Sequence, residues 1–137
     1  MSELEKVLQI ALAEVGYLEK KTNANLDNKT ANVGYNNYTK YARDLDNISN
    51  FYNGKKNGYA WCDMFVDWCF VKAFGSERAK ELLNQPNKSY GAGCEESKNY
   101  YKKINQFFTT PKKGDQIFFI NTNGKMYHTG LVYSYNI

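Results

Sequence analysis

One stretch constrains the fold more than any other: Asn57-Gly58-Tyr59-Ala60-Trp61-Cys62-Asp63-Met64-Phe65-Val66-Asp67-Trp68-Cys69-Phe70-Val71-Lys72-Ala73-Phe74-Gly75. It opens on a turn signal, Asn57-Gly58. Counted from Cys62, the apolar residues Phe65, Val66, Cys69, Phe70 and Ala73 fall at +3, +4, +7, +8 and +11, one face of a 3.6-residue helix. Trp61, Met64, Trp68 and Val71 cover a second face. A helix apolar nearly all round belongs inside a protein. Gly75 stands where a C-terminal cap belongs. The pattern predicts a central buried helix with Cys62 in or beside its first turn.

That position bears on chemistry. The thiolate is the nucleophile, and the free N–H groups and dipole of a helix N-terminus favour negative charge. A nucleophilic Cys also needs a general base. The chain has a single histidine, His128, in Lys125-Met126-Tyr127-His128-Thr129-Gly130-Leu131-Val132-Tyr133, which reads as the beginning of a β-strand. The competing reading of Cys62 is a buried core thiol. Cys69 sits one heptad later and reads as a small apolar core residue. Cys94 lies in the predicted loop Ser89 to Cys94, where a bridge to Cys69 is a minor alternative. An odd count of three cysteines argues against a disulfide framework. Zinc held by the three cysteines and His128 is disfavoured, because the closely spaced Cys pair of most structural zinc sites is missing.

Three separated blocks agree with one family. Trp61-Cys62-Asp63-Met64-Phe65-Val66-Asp67-Trp68-Cys69, Pro111-Lys112-Lys113-Gly114-Asp115-Gln116-Ile117-Phe118-Phe119 and His128-Thr129-Gly130-Leu131-Val132 resemble, in type, order and spacing, the CHAP family. These are the cysteine- and histidine-dependent amidohydrolase/peptidase domains of bacterial and phage cell-wall lysins. The resemblance runs from Leu4 to the end of the chain. It implies a papain-like fold of the NlpC/CHAP type, with a helix-borne Cys packed on a sheet-borne His. It further implies Cys62 as nucleophile, His128 as base, and a peptidoglycan amide as substrate. In that family a strand beyond the His carries an acidic or amide residue, often in a Glu-Gly-Asn run, that orients the imidazole. This chain reaches Tyr135-Asn136-Ile137 without such a block. The expectation is a single CHAP-like catalytic domain over residues 1–137, truncated before its last strands. Otherwise the orienting residue lies upstream, with Asn121, Asn123 and Asp115 the first places to look.

Length and composition narrow the class. A chain of 137 residues suits one domain, which buries about two-thirds of its unfolded surface. Hydrophobic residues at 42% and charged residues at 23% are globular values. The net charge of +4 is mildly positive, but no run of five basic residues occurs, which disfavours nucleic acid. The segment Met1 to Lys20 carries Glu3, Glu5 and Glu14 and lacks a basic start and an apolar run, so it reads as no signal peptide. No membrane-spanning stretch is present. The expected setting is synthesis in a cytoplasm and action on the wall after release or delivery on a phage particle, as for an endolysin. The 12 tyrosines read mostly as half-buried surface, with groove lining as the functional alternative.

In chain order, Ser2-Glu3-Leu4-Glu5 forms a capping box, and Leu4, Val7, Leu8, Ala11, Leu12 and Val15 make an amphipathic helix ended or bent by Gly16. That helix is expected to pack on the Cys62 helix. Residues 20–57 are polar, with a short helix near Tyr38–Leu45. Asn23, Asn25 and Asp27 alternate like calcium ligands, yet the Gly and Glu of such a loop are absent, so Asx turns are favoured and no metal is expected. A helix from Glu77 to Leu83 capped by Ser76, a helix from Glu95 to Lys103, a strand from Gln116 to Ile120, a turn at Asn123-Gly124 and a strand from His128 to Tyr135 follow. Helices first and antiparallel strands second define an α+β fold.

The leading function is therefore hydrolysis of a stem-peptide or cross-bridge amide of peptidoglycan, with no cofactor. The oxyanion would be met by the backbone N–H of Cys62 and a second donor. The alternatives are a non-catalytic or remnant wall-binding module of the same fold, and an NlpC-type cysteine peptidase. If the sheet is incomplete, its last strand exposes Leu131, Val132 and Tyr133 at an edge and invites self-association.

Overall fold

The computed structural model describes residues 1–86 and 91–135. Five helices precede a β-hairpin: α1 (Glu3–Ala13), α2 (Lys40–Asp46), α3 (Cys62–Phe74), α4 (Ser76–Leu83), α5 (Cys94–Lys103), β1 (Gln116–Ile120) and β2 (Met126–Leu131). The α+β class and its order are as the sequence predicts. The helix α3 is the centre: α1, α2, α4, α5 and β2 all pack against it.

Helix α1 begins as its capping box requires, with the Ser2 hydroxyl accepting from the Glu5 N–H at 3.1 Å. The other half of the box is diverted. The Glu5 carboxylate pairs instead with Lys113 Nζ at 2.6 Å, beside β1. Of the apolar stripe only Val7 and Leu8 are buried, while Leu12 and Val15 are exposed. The helix stops at Ala13, and Gly16 turns the chain at φ +95°. The seam against α3 is thus narrower than the periodicity suggests, because the chain leaves the helix before Val15 can turn inward.

The polar segment after α1 folds through local backbone geometry. Asn25, Asn32, Asn37 and Asn50 adopt left-handed φ, which Asn tolerates better than other side chains with a Cβ. Lys20 pairs with both Val33 and Tyr38 as isolated bridges. The calcium-like alternation is used otherwise: Arg43 binds both oxygens of Asp27, at 2.7 and 3.0 Å, and Asn23 accepts from Asn57. The next element, α2, delivers Tyr41 to the middle of the core. Its ring lies 4.8–5.5 Å from those of Tyr17, Trp61, Phe65 and Trp68, and its hydroxyl donates to Glu14 at 2.9 Å. Most of the described tyrosines lie at the surface or half-buried, as expected, and four depart from that reading. Tyr17, Tyr41, Tyr52 and Tyr100 are buried, each with its hydroxyl hydrogen-bonded, which lets a large ring enter a core without an orphan polar atom.

Gly75 closes α3 and also caps α4, so the two helices share one residue as their junction. Helix α4 starts at Ser76 and ends at the left-handed Asn84. In the hairpin, Gln116 pairs with Leu131, Phe118 with Thr129 and Phe119 with His128, with a bulge between Phe119 and Ile120. Asn121 shapes the turn by accepting from the N–H groups of Asn123 and Lys125 at 2.9 and 3.0 Å. The second strand is displaced from its predicted limits: it begins at Met126 and ends at Leu131 rather than running from His128 to Tyr135. Val132 continues the pairing by bonding to Asp115 and Gly114, and then the chain leaves the sheet. The expected apolar edge is also corrected. Leu131 packs on the core and Val132 is buried, leaving Tyr133 exposed. Gly114 makes the approach to β1 feasible. It has φ +88°, and a Cβ there would stand 2.3 Å from Leu4 of α1.

Candidate active site

Cys62 is the first residue of α3, after Trp61, whose side chain makes no capping bond. The helix start is therefore open toward the Cys62 side chain. The Cys62 Sγ lies 3.6 Å from the Sγ of Cys94. His128, near the start of β2, and the backbone of Thr129 border the same sulfur. These neighbours bring the Cys62 thiol down to about 5. The largest influence is the Cys94 thiol as hydrogen-bond donor; partial burial opposes it, and the His128 imidazole and the Thr129 N–H add to the fall. Cys62 is half-buried and His128 is exposed, so both are open to an incoming substrate. The structure thus brings together the two residues singled out in the sequence, Cys62 and His128.

The imidazole has an unexpected partner. It stacks on the ring of Phe119, its pairing partner across the hairpin, with centroids 5.7 Å apart and planes at 26°. Among the described residues no carboxylate or amide is hydrogen-bonded to it. Asn121 spends its side-chain oxygen on the hairpin turn, and Asp115 accepts from the Lys112 N–H at 3.0 Å. The upstream places considered for an orienting residue therefore do other work in these two cases.

Two site features escaped the sequence reading. The first is Cys94. It is neither in a loop nor beside Cys69, but is the first residue of α5, so two helix N-termini converge on one pair of sulfurs. Cys69 is fully buried in the apolar core, as expected for it, and burial pushes its thiol well up. Gly93 allows the close approach at the start of α5: a Cβ there would stand 2.5 Å from the Glu96 carboxylate. The sequence signal was available in Gly91-Ala92-Gly93-Cys94-Glu95-Glu96. A cysteine followed by two acids is a helix start of the same kind as Cys62-Asp63.

The second is a buried acid network on α3. Asp63 and Asp67 are each 1% exposed and lie one turn apart. Asp63 accepts from the Ser97 hydroxyl at 2.7 Å and from Gln116 Nε2 at 2.9 Å. That same Gln116 nitrogen reaches the Thr129 hydroxyl at 3.0 Å, which donates to the Ile117 carbonyl at 2.7 Å. Asp67 accepts from the Tyr52 hydroxyl. Burial pushes Asp67 up to about 7, against the pull of Tyr52. Burial and then the neighbouring Asp67 hold Asp63 well above the carboxylate range. The network joins the residue after Cys62 to the residue after His128. It fixes the start of α3 to β2, α5 and β1 with side-chain bonds rather than apolar packing. An acid pair at four-residue spacing with no basic residue among its neighbours on that face was the clue in the sequence.

Chemically, the site places a thiol of lowered pKa at a helix start beside an imidazole, and among the described residues no carbonyl takes the Cys62 N–H, which can meet a developing oxyanion. Neither a curated protein nor a solved structure matches the chain. The family model of the CHAP domain matches residues 54–136, a span that begins just before Asn57-Gly58 and takes in Cys62, Cys94 and His128. The chain belongs to the CHAP domain family, whose members are typically cysteine amidases or peptidases with a peptidoglycan-hydrolase type of activity.

Proposed function

We propose that this protein cleaves an amide bond in the stem peptide or cross-bridge of peptidoglycan, with Cys62 as nucleophile and His128 as base. The Cys62 thiolate attacks the amide carbonyl carbon, and the backbone N–H of Cys62 receives the oxyanion. Protonated His128 then gives its proton to the leaving amine as the tetrahedral species collapses to a thioester. His128 next takes a proton from water, which attacks the thioester and releases the carboxylate and the Cys62 thiolate. The observation that carries this reading is the Cys62 sulfur itself. It sits at a helix start, half-open to solvent and next to the single imidazole of the chain, surroundings that draw its thiol down to about 5.

The test is hydrolysis of purified peptidoglycan by the wild type and by Cys62→Ala, with circular dichroism as the control for folding. Activity should fall by roughly 10⁴-fold or more, as for removal of other catalytic nucleophiles. Wild-type rates in Cys62→Ala would sink the assignment. A second reading, a wall-binding module of the same fold that no longer cleaves, is favoured by one observation: His128 has a ring partner but no carboxylate or amide partner among the described residues. Binding to sacculi without release of new amino groups, in wild type and Cys62→Ala alike, would support that reading instead.

A further inference from the structure

We propose that Cys62 and Cys94 form a reversible disulfide on exposure to hydroperoxides, so that the site carries its own oxidative lock. The geometry points to it first. The two sulfurs are 3.6 Å apart, and both side chains spring from the first residue of a helix. A disulfide needs about 2.05 Å between sulfurs, so the pair must close by about 1.5 Å. Both cysteines are free thiols, and the third, Cys69, is sealed in the core and cannot compete.

The two thiols differ in the way such a pair requires. An oxidant-sensing thiol is anionic, reachable and next to a resolving thiol. Cys62 is half-buried and favours the thiolate, whereas Cys94 is buried and is held protonated, first by its hydrogen bond to Cys62 and then by burial. The reaction balances with a hydroperoxide as the oxidant. The Cys62 thiolate attacks the outer oxygen of ROOH, the O–O bond breaks, and the alkoxide leaves as ROH after taking a proton. Cys62 is then a sulfenic acid with no negative charge, so the larger of the two influences that kept Cys94 protonated is gone. The Cys94 sulfur attacks the Cys62 sulfur, the S–O bond breaks, and hydroxide leaves as water with the Cys94 proton. Two electrons have passed from the two sulfurs to the peroxide oxygens. A dithiol reductant reverses the change. The locked form has no nucleophile, and the sulfur of Cys62 is shielded from further, irreversible oxidation.

The loss of activity rests on the proposed catalytic role of Cys62; the bond itself does not. The test therefore reads chemistry and activity separately. The full chain, reduced and then treated with hydrogen peroxide, is alkylated, digested and analysed by mass spectrometry, alongside Cys94→Ser and Cys69→Ser. In the wild type the free thiols should fall from three to one. A peptide linking Cys62 to Cys94, lighter by about 2 Da than its reduced parts, should appear, and dithiothreitol should remove it. Cys69→Ser should behave alike. In Cys94→Ser, Cys62 should instead gain about 32 Da, and dithiothreitol should not restore its thiol. Over-oxidation of Cys62 in the wild type with Cys94 still free, or a link that involves Cys69, would overturn the proposal. A Cys62–Cys94 link with no hydrolase activity before or after reduction would leave the lock standing and overturn the hydrolase reading.

Discussion

Cys62 and Asp63 are neighbours in the first turn of the same helix, and the protein treats their charges in opposite ways. Cys62 is drawn down to about 5, and Asp63 is held well above its usual range. Both feel the same helix dipole, which favours an anion at either position. The dipole therefore does not decide the outcome. Cys62 points to a half-open surface shared with a thiol donor, an imidazole and a backbone N–H. Asp63 points inward, where burial and a second carboxylate one turn away outweigh two good hydrogen bonds. A reactive anion and a buried acid can thus stand side by side when the helix surface between them separates wet from dry.

Removing His128 should disturb the Cys62 side most. His128→Ala is expected to lower hydrolysis by about 10²–10⁴-fold, the usual worth of a positioned acid–base group. It should also move the alkylation profile of Cys62 to higher pH, since the imidazole is one of the groups that hold the thiolate. An alkylation profile that superposes on the wild type would show that the two residues are not coupled.

The Asp67 side should respond in stability rather than rate. Its folded value of about 7 lies above the ordinary carboxylate value of 3.8, so the folded state binds the proton more tightly. Stability from this group is greatest below about pH 4, falls as pH rises, and is level above about 7. The drop is on the order of 4 kcal/mol for a shift of this size. Cys62 works the other way: lowered from 9.0 to about 5, it adds stability that is full above pH 9 and lost as pH falls through 5. The two oppose each other between about pH 5 and 7. Between about pH 4 and 7, urea titrations of Asp67→Asn should therefore show stability falling less, or rising more, with pH than in the wild type. Curves parallel to the wild type would mean that Asp67 is ionised throughout.

Smaller effects come from the groups that tie the two sides together. Gln116→Leu removes the donor shared by Asp63 and Thr129, and should cost roughly 1–3 kcal/mol through unsatisfied buried acceptors. Denaturant midpoints read this directly, and a neutral result would show that water replaces the amide. Phe119→Ala takes away the ring under His128, and its stacking is worth about 0.5–1.5 kcal/mol. Its mark should be a several-fold loss of kcat with KM held, because the imidazole loses orientation rather than substrate contact. A change confined to KM would place Phe119 in substrate binding instead.

Much of this was written in local patterns. The 3.6-residue periodicity from Cys62 located α3, and Gly75 marked its end, because a helix buried all round must be apolar all round. Turn chemistry located the hairpin, and β1 has the limits read from Gln116 to Ile120. The second strand was misplaced because Tyr133 and Tyr135 have strand-forming side chains whatever their pairing, whereas the end of pairing at Leu131 and Val132 depends on the length of β1. The four buried tyrosines were not separable from the surface ones for a similar reason. A ring with a polar tip suits surface or core, and only a partner such as Glu14 for Tyr41 selects between them.

By its own periodicities, caps and turn residues, the sequence determined the order of elements, the placement of Cys62 at a helix start and of His128 in a strand. These are properties of a few consecutive residues. What tertiary structure decided is which side chains meet. Nothing local to Cys94 says that its helix start faces that of Cys62, and nothing local to Gln116 says that its amide reaches Asp63 and Thr129 together. Those contacts join residues far apart in the chain, and they, rather than residue type, set the charge on the Cys62 sulfur and on the buried acids. Electrostatic free energy depends on distance and burial, and both become defined only when the helices and the hairpin close on α3.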